Sequence, residues 1–126
     1  MSENDLQQEI QAILADAAIE NSDWESRQII RHISPILSAE SLRLKAIAIA
    51  EKRCRNYPLQ YLFGRWDFRD IEVEFPYKVL IPRPETEQLV DILIENLPKR
   101  KTLRGLEIGI GSGAISLSLL SEVDGL

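Results

Sequence analysis

The sequence predicts a small helical bundle, then a β-hairpin, then the first β-α unit of an α/β domain. Three observations carry that reading. Apolar residues recur at helical spacing as far as residue 54, the period drops to two at residues 71–75, and alternating glycines at 109, 111 and 113 separate an apolar run from a helical one. Composition is that of an ordinary globular chain: 126 residues, 44% hydrophobic, 28% charged, with a net charge of −5. That length suits about one average domain and excludes two complete ones. One cysteine cannot form an internal disulfide, so a stapled secreted scaffold is excluded and a reducing compartment is expected. No stretch approaches the ~20 consecutive apolar residues that span a bilayer. The opening MSENDLQQEIQ has neither the basic nor the apolar region of a secretory leader. These features predict a cytoplasmic protein with no membrane partner.

Each element follows from local chemistry. Leu6, Ile10, Ile13, Leu14 and Ala17 make one apolar stripe, while Gln7, Glu9, Gln11 and Asp16 fall on the wet side. Ser22-Asp23-Trp24-Glu25 has capping-box spacing, which predicts a second helix from about Trp24 to about Ile33. Pro35 ends it, because the residue before a proline avoids helical angles. A third helix follows Ser38, carries Leu42, Ala46, Ile47, Ile49, Ala50 and Cys54, and stops near Asn56. Ile71, Val73 and Phe75 then alternate with Glu72 and Glu74 as in a half-buried strand, and residues 65–68 can pair with it across a turn at Arg69-Asp70. Val79, Leu80 and Ile81 form a short apolar run that Pro82 and Pro84 terminate.

Pro84 suits a first helical position, with Glu85 and Glu87 near the positive end of the dipole. This helix is expected to bury Leu89, Val90, Leu93, Ile94 and Leu97 before Pro98. Residues 103–108 read as a strand and residues 114–120 as a helix. The predicted organisation is therefore a helical domain over residues 1–56, a linker with the hairpin over 57–83, and the opening of an α/β domain over 84–126.

Charge is unevenly spread. Residues 1–51 carry nine acids against four bases, and residues 52–105 carry eleven bases against eight acids. The acidic total argues against direct nucleic-acid binding. The basic clusters Lys52, Arg53, Arg55 and Lys99, Arg100, Lys101, Arg104 read as solvated helix ends, favoured by the macrodipole, with a partner-facing patch as the alternative. His32 has no ligating neighbours at metal spacing and reads as structural or surface, so no metal site is predicted. Cys54 reads as apolar filler, with a reactive thiol as the alternative, and Trp24, Trp66 and Phe68 as core or hairpin packing, with partner contact as the alternative.

Chemistry is announced only in GLEIGIGSGAIS. Gly109, Gly111 and Gly113 let the backbone turn sharply and let a ligand lie against it. Their spacing with Ala114 also satisfies a dinucleotide fingerprint, so it does not by itself separate a nicotinamide site from an S-adenosylmethionine site. No Gly-Lys-Ser/Thr follows, which excludes a Walker loop. Glu107 either orients loop amides and meets a cationic ligand, or faces solvent from a strand. A pyrophosphate gains nothing from that carboxylate and a sulfonium does, which favours S-adenosylmethionine.

YPLQYLFGRWDF, then VLIPRPETEQLVD, then LEIGIGSGAIS, in this order and spacing, resemble the PrmC/HemK family of protein-(glutamine) methyltransferases that modify peptide chain release factors. The resemblance is close from about Tyr57 onward and loose over the helical front. Arg83-Pro84-Glu85-Thr86-Glu87 is its most specific part, since the sibling enzyme that methylates a ribosomal protein departs there.

The resemblance implies a helical domain that contacts the release factor and a Rossmann-like S-adenosylmethionine-dependent methyltransferase domain, of which this chain holds only the first β-α unit. It implies that Gly109, Ile110, Gly111, Ser112 and Gly113 hold the methionine end of the cofactor, with Glu107, Arg83, Pro84, Glu85 and Thr86 near the same pocket. The acceptor is the side-chain amide of the glutamine in the release factor's Gly-Gly-Gln loop. The family's Asn-Pro-Pro-Tyr segment is absent from the 126 residues, so no catalytic residue is assigned and the chain alone is expected to be inactive. That segment, and the acidic residue that binds the ribose hydroxyls, are expected beyond Leu126. Glu107 stands where the family usually has Asp and Ile110 where it usually has Thr. Without flanking strands, residues after about 102 are expected to repack or order weakly. The rival readings are a non-enzymatic release-factor-binding helical module and a fragment of a nicotinamide-dependent oxidoreductase.

Overall fold

The computed structural model describes residues 2–34, 38–76, 78–99 and 102–126. Pro35, read as the stop of the second helix, and Arg100 and Lys101 of the second basic cluster lie outside the described residues. Two compact units divide the chain, Met1–Phe63 and Gly64–Leu126.

The first unit is all helical. Helix α1 (Glu3–Asp16) starts on a capping box in which the Asp5 amide donates to Ser2 Oγ at 3.2 Å and the Ser2 amide donates to Asp5 Oδ2 at 2.8 Å. Those bonds hold the Asp5 carboxyl below its ordinary range. Helix α2 (Ser22–Ile33) begins two residues before the expected start, with Asn21 at its cap, and the capping box expected at Ser22 and Glu25 does not form. Glu25 is instead drawn into the bundle, where both its carboxylate oxygens accept from Arg53 of α3 (Ala39–Cys54), at 2.7 and 3.0 Å. A bidentate charged bond between helices outcompetes a local cap. Arg53 is therefore not the solvated helix end that the charge pattern suggests.

The core of this unit is Leu6, Ile10 and Leu14 of α1, Ile29, Ile30 and Ile33 of α2, and Ala46, Ile49 and Ala50 of α3. A second bidentate pair, Arg43 on Glu9, ties α3 to α1. Trp24 is 47% exposed, against the expectation that it packs in the core, because it lies away from the Ile29, Ile30, Ile33 stripe of its helix. A fourth helix the sequence did not signal, α4 (Leu59–Phe63), buries Leu59 and stacks Phe63 on His32 with ring centroids 4.1 Å apart. The Cys54 thiol donates to the Ile13 carbonyl at 3.6 Å.

The second unit opens with the expected hairpin. Strands β1 (Arg65–Phe68) and β2 (Ile71–Glu74) pair antiparallel with Trp66 opposite Val73 and Phe68 opposite Ile71. Phe68 and Val73 are buried, while Arg65 and Glu72 on the other face form an ion pair at 3.3 Å. Helix α5 (Pro84–Asn96) begins at the expected proline, with Arg83 at its cap. Of the residues it was expected to bury, Val90 is fully enclosed and Leu89 remains 45% exposed, because α5 packs along one stripe on α6 (Ala114–Glu122).

The strand expected at residues 103–108 does not form. Among the described residues β1 and β2 make the only ladder, and a strand without a hydrogen-bonded neighbour has nothing to fix its extended backbone. Leu106 and Ile108 stand 90% and 91% exposed, and the Leu103 amide donates to the Gly125 carbonyl at 2.8 Å. What the fold establishes is thus a set of helices with one two-stranded antiparallel hairpin.

Candidate functional site

The glycine turn is built as its sequence demands. Gly109, Gly111 and Gly113 all sit in the left-handed region, at φ of 75°, 56° and 79°. A side chain at any of them costs about 1–2 kcal/mol of backbone strain. Space is not what excludes one: a Cβ on Gly109 meets nothing within 4 Å, and on Gly111 only the Gly109 carbonyl oxygen at 4.0 Å. The open backbone is what a ligand lying against the turn needs. Gly113 caps α6, its amide donating to the Ile110 carbonyl at 2.8 Å and its carbonyl accepting from Leu117 at 2.9 Å. Ile110 is 57% exposed and Ser112 is half-buried.

A capping glycine has no side chain to satisfy the first amides of its helix. Glu107 reaches over instead: its Oε2 accepts from the Ser116 amide at 3.2 Å and also from the Ser116 hydroxyl. The carboxylate therefore occupies the positive end of α6 from a half-buried position.

Beside the turn lies an open cleft of about 430 Å³. Gly111, Ser112 and Leu117 form one wall, and Glu72, Glu74, Pro76 and Val79 of the hairpin strand and the segment after it form the other. A larger apolar groove of about 1030 Å³ runs between α5 and α6, where Leu93, Leu106, Ile108, Ile115 and Leu119 face it together with Glu107. Arg83, Pro84, Glu85 and Thr86 line neither space. They form the start of α5, with the Thr86 amide donating to the Arg83 carbonyl at 2.9 Å. The structure thus brings Gly111 and Ser112 to one cleft, sets Glu107 on the other space, and leaves residues 83–86 at a helix start of their own.

Sequence reasoning missed Arg69. It occupies the hairpin turn at φ 51°, a conformation that resists any residue but glycine or asparagine. Its amide donates to Glu87 Oε1 at 3.1 Å and its Nη1 to the Glu87 carbonyl at 3.0 Å. The same Nη1 pairs with Asp91 Oδ1 at 2.8 Å, and Nε and Nη2 each bond a Glu122 oxygen at 2.7 Å. Hydrogen bonds to Glu122 and Asp91 raise the pKa of the guanidinium, and its own bonds hold the Glu122 carboxyl below the usual range. The one available signal was an arginine at a turn position that prefers glycine.

Among the described residues no group of three or more His, Cys, Asp or Glu could hold a metal ion, and no helix is long and apolar enough to cross a membrane.

The site is a left-handed glycine turn that opens a helix, with an open cleft beside it. No protein-family model matches the chain. Curated relatives narrow the class. The chain is 43% identical over 82 residues to the human MTRF1L release factor glutamine methyltransferase, covering 60% of this chain and 24% of that protein. It is 37% identical over 89 residues to the release factor glutamine methyltransferase of Coxiella burnetii, covering 70% and 32%. To the enzyme of that name from Caulobacter vibrioides it is 32% identical over 120 residues, covering 86% and 42%. The chain spans between 24% and 42% of the length of these relatives. It resembles the release factor glutamine methyltransferases, the PrmC/HemK family, over a portion of their length. As methyltransferases, those relatives need a methyl donor.

Proposed function

We propose that this chain is part of an S-adenosylmethionine-dependent methyltransferase that modifies the glutamine in the Gly-Gly-Gln loop of peptide chain release factors. In this reading residues 1–56 recognise the release factor, 57–83 form the linker with its hairpin, and 84–126 open a Rossmann-like domain. The helical unit runs one short helix further, through α4. The partner is a protein rather than a nucleic acid, and the reaction belongs to the cytoplasm, where release factors work and where a lone thiol stays reduced.

The observation that carries the cofactor reading is the bond from Ser116 to Glu107. A dinucleotide places its pyrophosphate on the amides at the helix start. In this chain a carboxylate already accepts from one of those amides, and a second anion beside it is repelled. A cofactor with no phosphate, whose sulfonium and ammonium outnumber its one carboxylate, meets a favourable net field from the same group. The nicotinamide-dependent reading loses support accordingly.

The residues present fit such a cofactor: the open turn at Gly109 and Gly111 admits it against the backbone, and Gly113 and Glu107 fix the helix that follows. When bound, it supplies a methyl group activated by a sulfonium leaving group. The acceptor amide nitrogen is a weak nucleophile, because its lone pair is delocalised into the carbonyl, so the family's chemistry depends on holding and aiming that amide. No Asn-Pro-Pro-Tyr exists among the 126 residues to do so. The expected behaviour is binding without turnover.

The test incubates the 126-residue chain with a release factor and S-adenosylmethionine and follows glutamine methylation by mass spectrometry alongside a pull-down. Release-factor capture with no methyl transfer is expected. Methylated glutamine would overturn the inactivity, and absence of capture would overturn the recognition role of the helical unit. The non-enzymatic module is the second reading, favoured by the closed core of α1, α2 and α3. Capture without any cofactor binding at the glycine turn selects it.

A further inference from the structure

The geometry points to Arg69 as the positioning residue of the cleft beside the glycine turn. This rests on the reading of that cleft as the cofactor site. One wall of the cleft is β2 and the segment after it, through Glu72, Glu74, Pro76 and Val79, and the other is the turn and α6, through Gly111, Ser112 and Leu117. Two walls from separate elements define a binding site only if something fixes their separation. A two-stranded hairpin is marginally stable alone and cannot hold its own position.

Burial of Phe68 and Val73 seats one face of the hairpin, and Arg69 adds a polar constraint at its turn end. Its fork binds both carboxylate oxygens of Glu122 at the far end of α6, and its remaining nitrogen reaches Asp91 and the Glu87 carbonyl on α5. Hairpin, α5 and α6 meet on one guanidinium whose side chain is only 15% exposed. The planar five-donor fork is what permits this, and a lysine ammonium cannot reproduce it.

An independent observation agrees. The hairpin turn holds an arginine at φ 51°, where glycine or asparagine is easier. Backbone strain persists where surrounding contacts over-determine it. A turn that only had to reverse the chain would gain from glycine here. The contacts made by the arginine side chain are what offset that strain.

The experiment titrates the 126-residue chain with S-adenosylmethionine and reads the amide shifts of Gly109, Gly111 and Gly113 by NMR. Arg69→Gly relaxes the turn and removes the fork. The expected result is a dissociation constant raised about tenfold, within the range of coupling through packed elements. Glu122→Gln is expected to raise it less, Arg69→Lys to recover part of the loss, and the Arg69→Gly/Glu122→Gln pair to add nothing beyond Arg69→Gly. Cross-strand shifts of Trp66 and Val73 report whether the hairpin survives. Where it does not, Glu122→Gln decides by the same criterion, since it weakens only the α6 arm. Wild-type affinity in Arg69→Gly, with Gly111→Val abolishing the shifts, overturns the positioning role and leaves the cofactor site standing. Glycine amides that do not respond in the wild-type chain overturn the cofactor reading, and this role with it.

Discussion

The two units of the chain bury apolar surface in opposite ways. Among the described residues of the helical unit Leu6, Ile10, Leu14, Ile29, Ile30, Ile33 and Ile49 are enclosed, and only Trp24 and Leu44 stand among the exposed large apolar residues. Among the described residues of the second unit Leu80, Leu89, Ile92, Leu106, Ile108, Ile110, Leu117 and Leu120 are exposed, and the enclosed apolar set is small: Phe68, Val73, Phe75, Val90 and Ala114. Three helices packed together can each hide one stripe. Two helices and a hairpin leave their outer stripes open. The contrast teaches that apolar residues have different meaning in the two units: stability in one, and uncovered surface in the other. The largest expected effect therefore falls in the first unit. Ile29→Ala, at a position with no exposure, should cost about 3 kcal/mol, measured as a lower urea midpoint of the helical signal. A cost below that of an exposed substitution would remove the contrast.

A smaller effect tests what orients the helices rather than what drives them together. Glu25 and Arg53 are largely enclosed, with side chains 10% and 22% exposed. Glu25→Gln leaves the guanidinium with a weaker acceptor in a half-dry site, and the expected loss is about 2 kcal/mol. Arg53→Met, which removes the charge needing a partner, should then recover part of it. If the two changes simply add, the pair is not coupled.

The second unit has its own ion link, which pH tests. Glu122 is held below the ordinary carboxylate range by Arg69. A depressed acid contributes stability above its unfolded value and loses it as pH falls through the folded one. The contact between the hairpin turn and α6 should therefore persist through mildly acidic solution and weaken only below the usual glutamate range. Amide exchange at Arg69 and along α6 against pH reads this directly. Weakening already near neutral pH would contradict it.

Much of the first unit was legible because its helices announce themselves: the stripe of Leu6, Ile10 and Leu14 needs no partner to be recognised. The hairpin was legible for the same reason, since the alternation of Ile71 and Val73 with glutamates is local. What failed was long-range. Glu25 looked like a cap because Arg53, 28 residues away, is invisible to a local rule. Residues 103–108 looked like a strand because composition records β propensity and not whether a neighbour exists. The glycine turn was read with its conformations, yet Glu107 was seen facing loop or solvent and not the Ser116 amide, since no spacing rule describes a carboxylate folding onto a helix start. Arg69 was placed in the hairpin turn, but its bonds escaped, since its partners lie 18, 22 and 53 positions on.

The smallest expected effect is the sharpest test of the contrast. Leu106 and Ile108 are as apolar as Ile29, and by composition alone their replacement should be just as costly. They make almost no enclosed contact, standing 90% and 91% exposed. The transfer free energy lost on removing an apolar side chain scales with the area it hides from water, and theirs hides very little. The double change Leu106→Ser and Ile108→Ser should therefore alter the thermal midpoint of this chain negligibly, within about 0.5 kcal/mol of stability. Removing two adjacent apolar groups from an exposed groove should also reduce self-association, visible as a slower rise of light scattering with concentration. A clear loss of stability on that double change would mean that residues 103–108 are covered in solution, and the two units would then bury apolar surface alike.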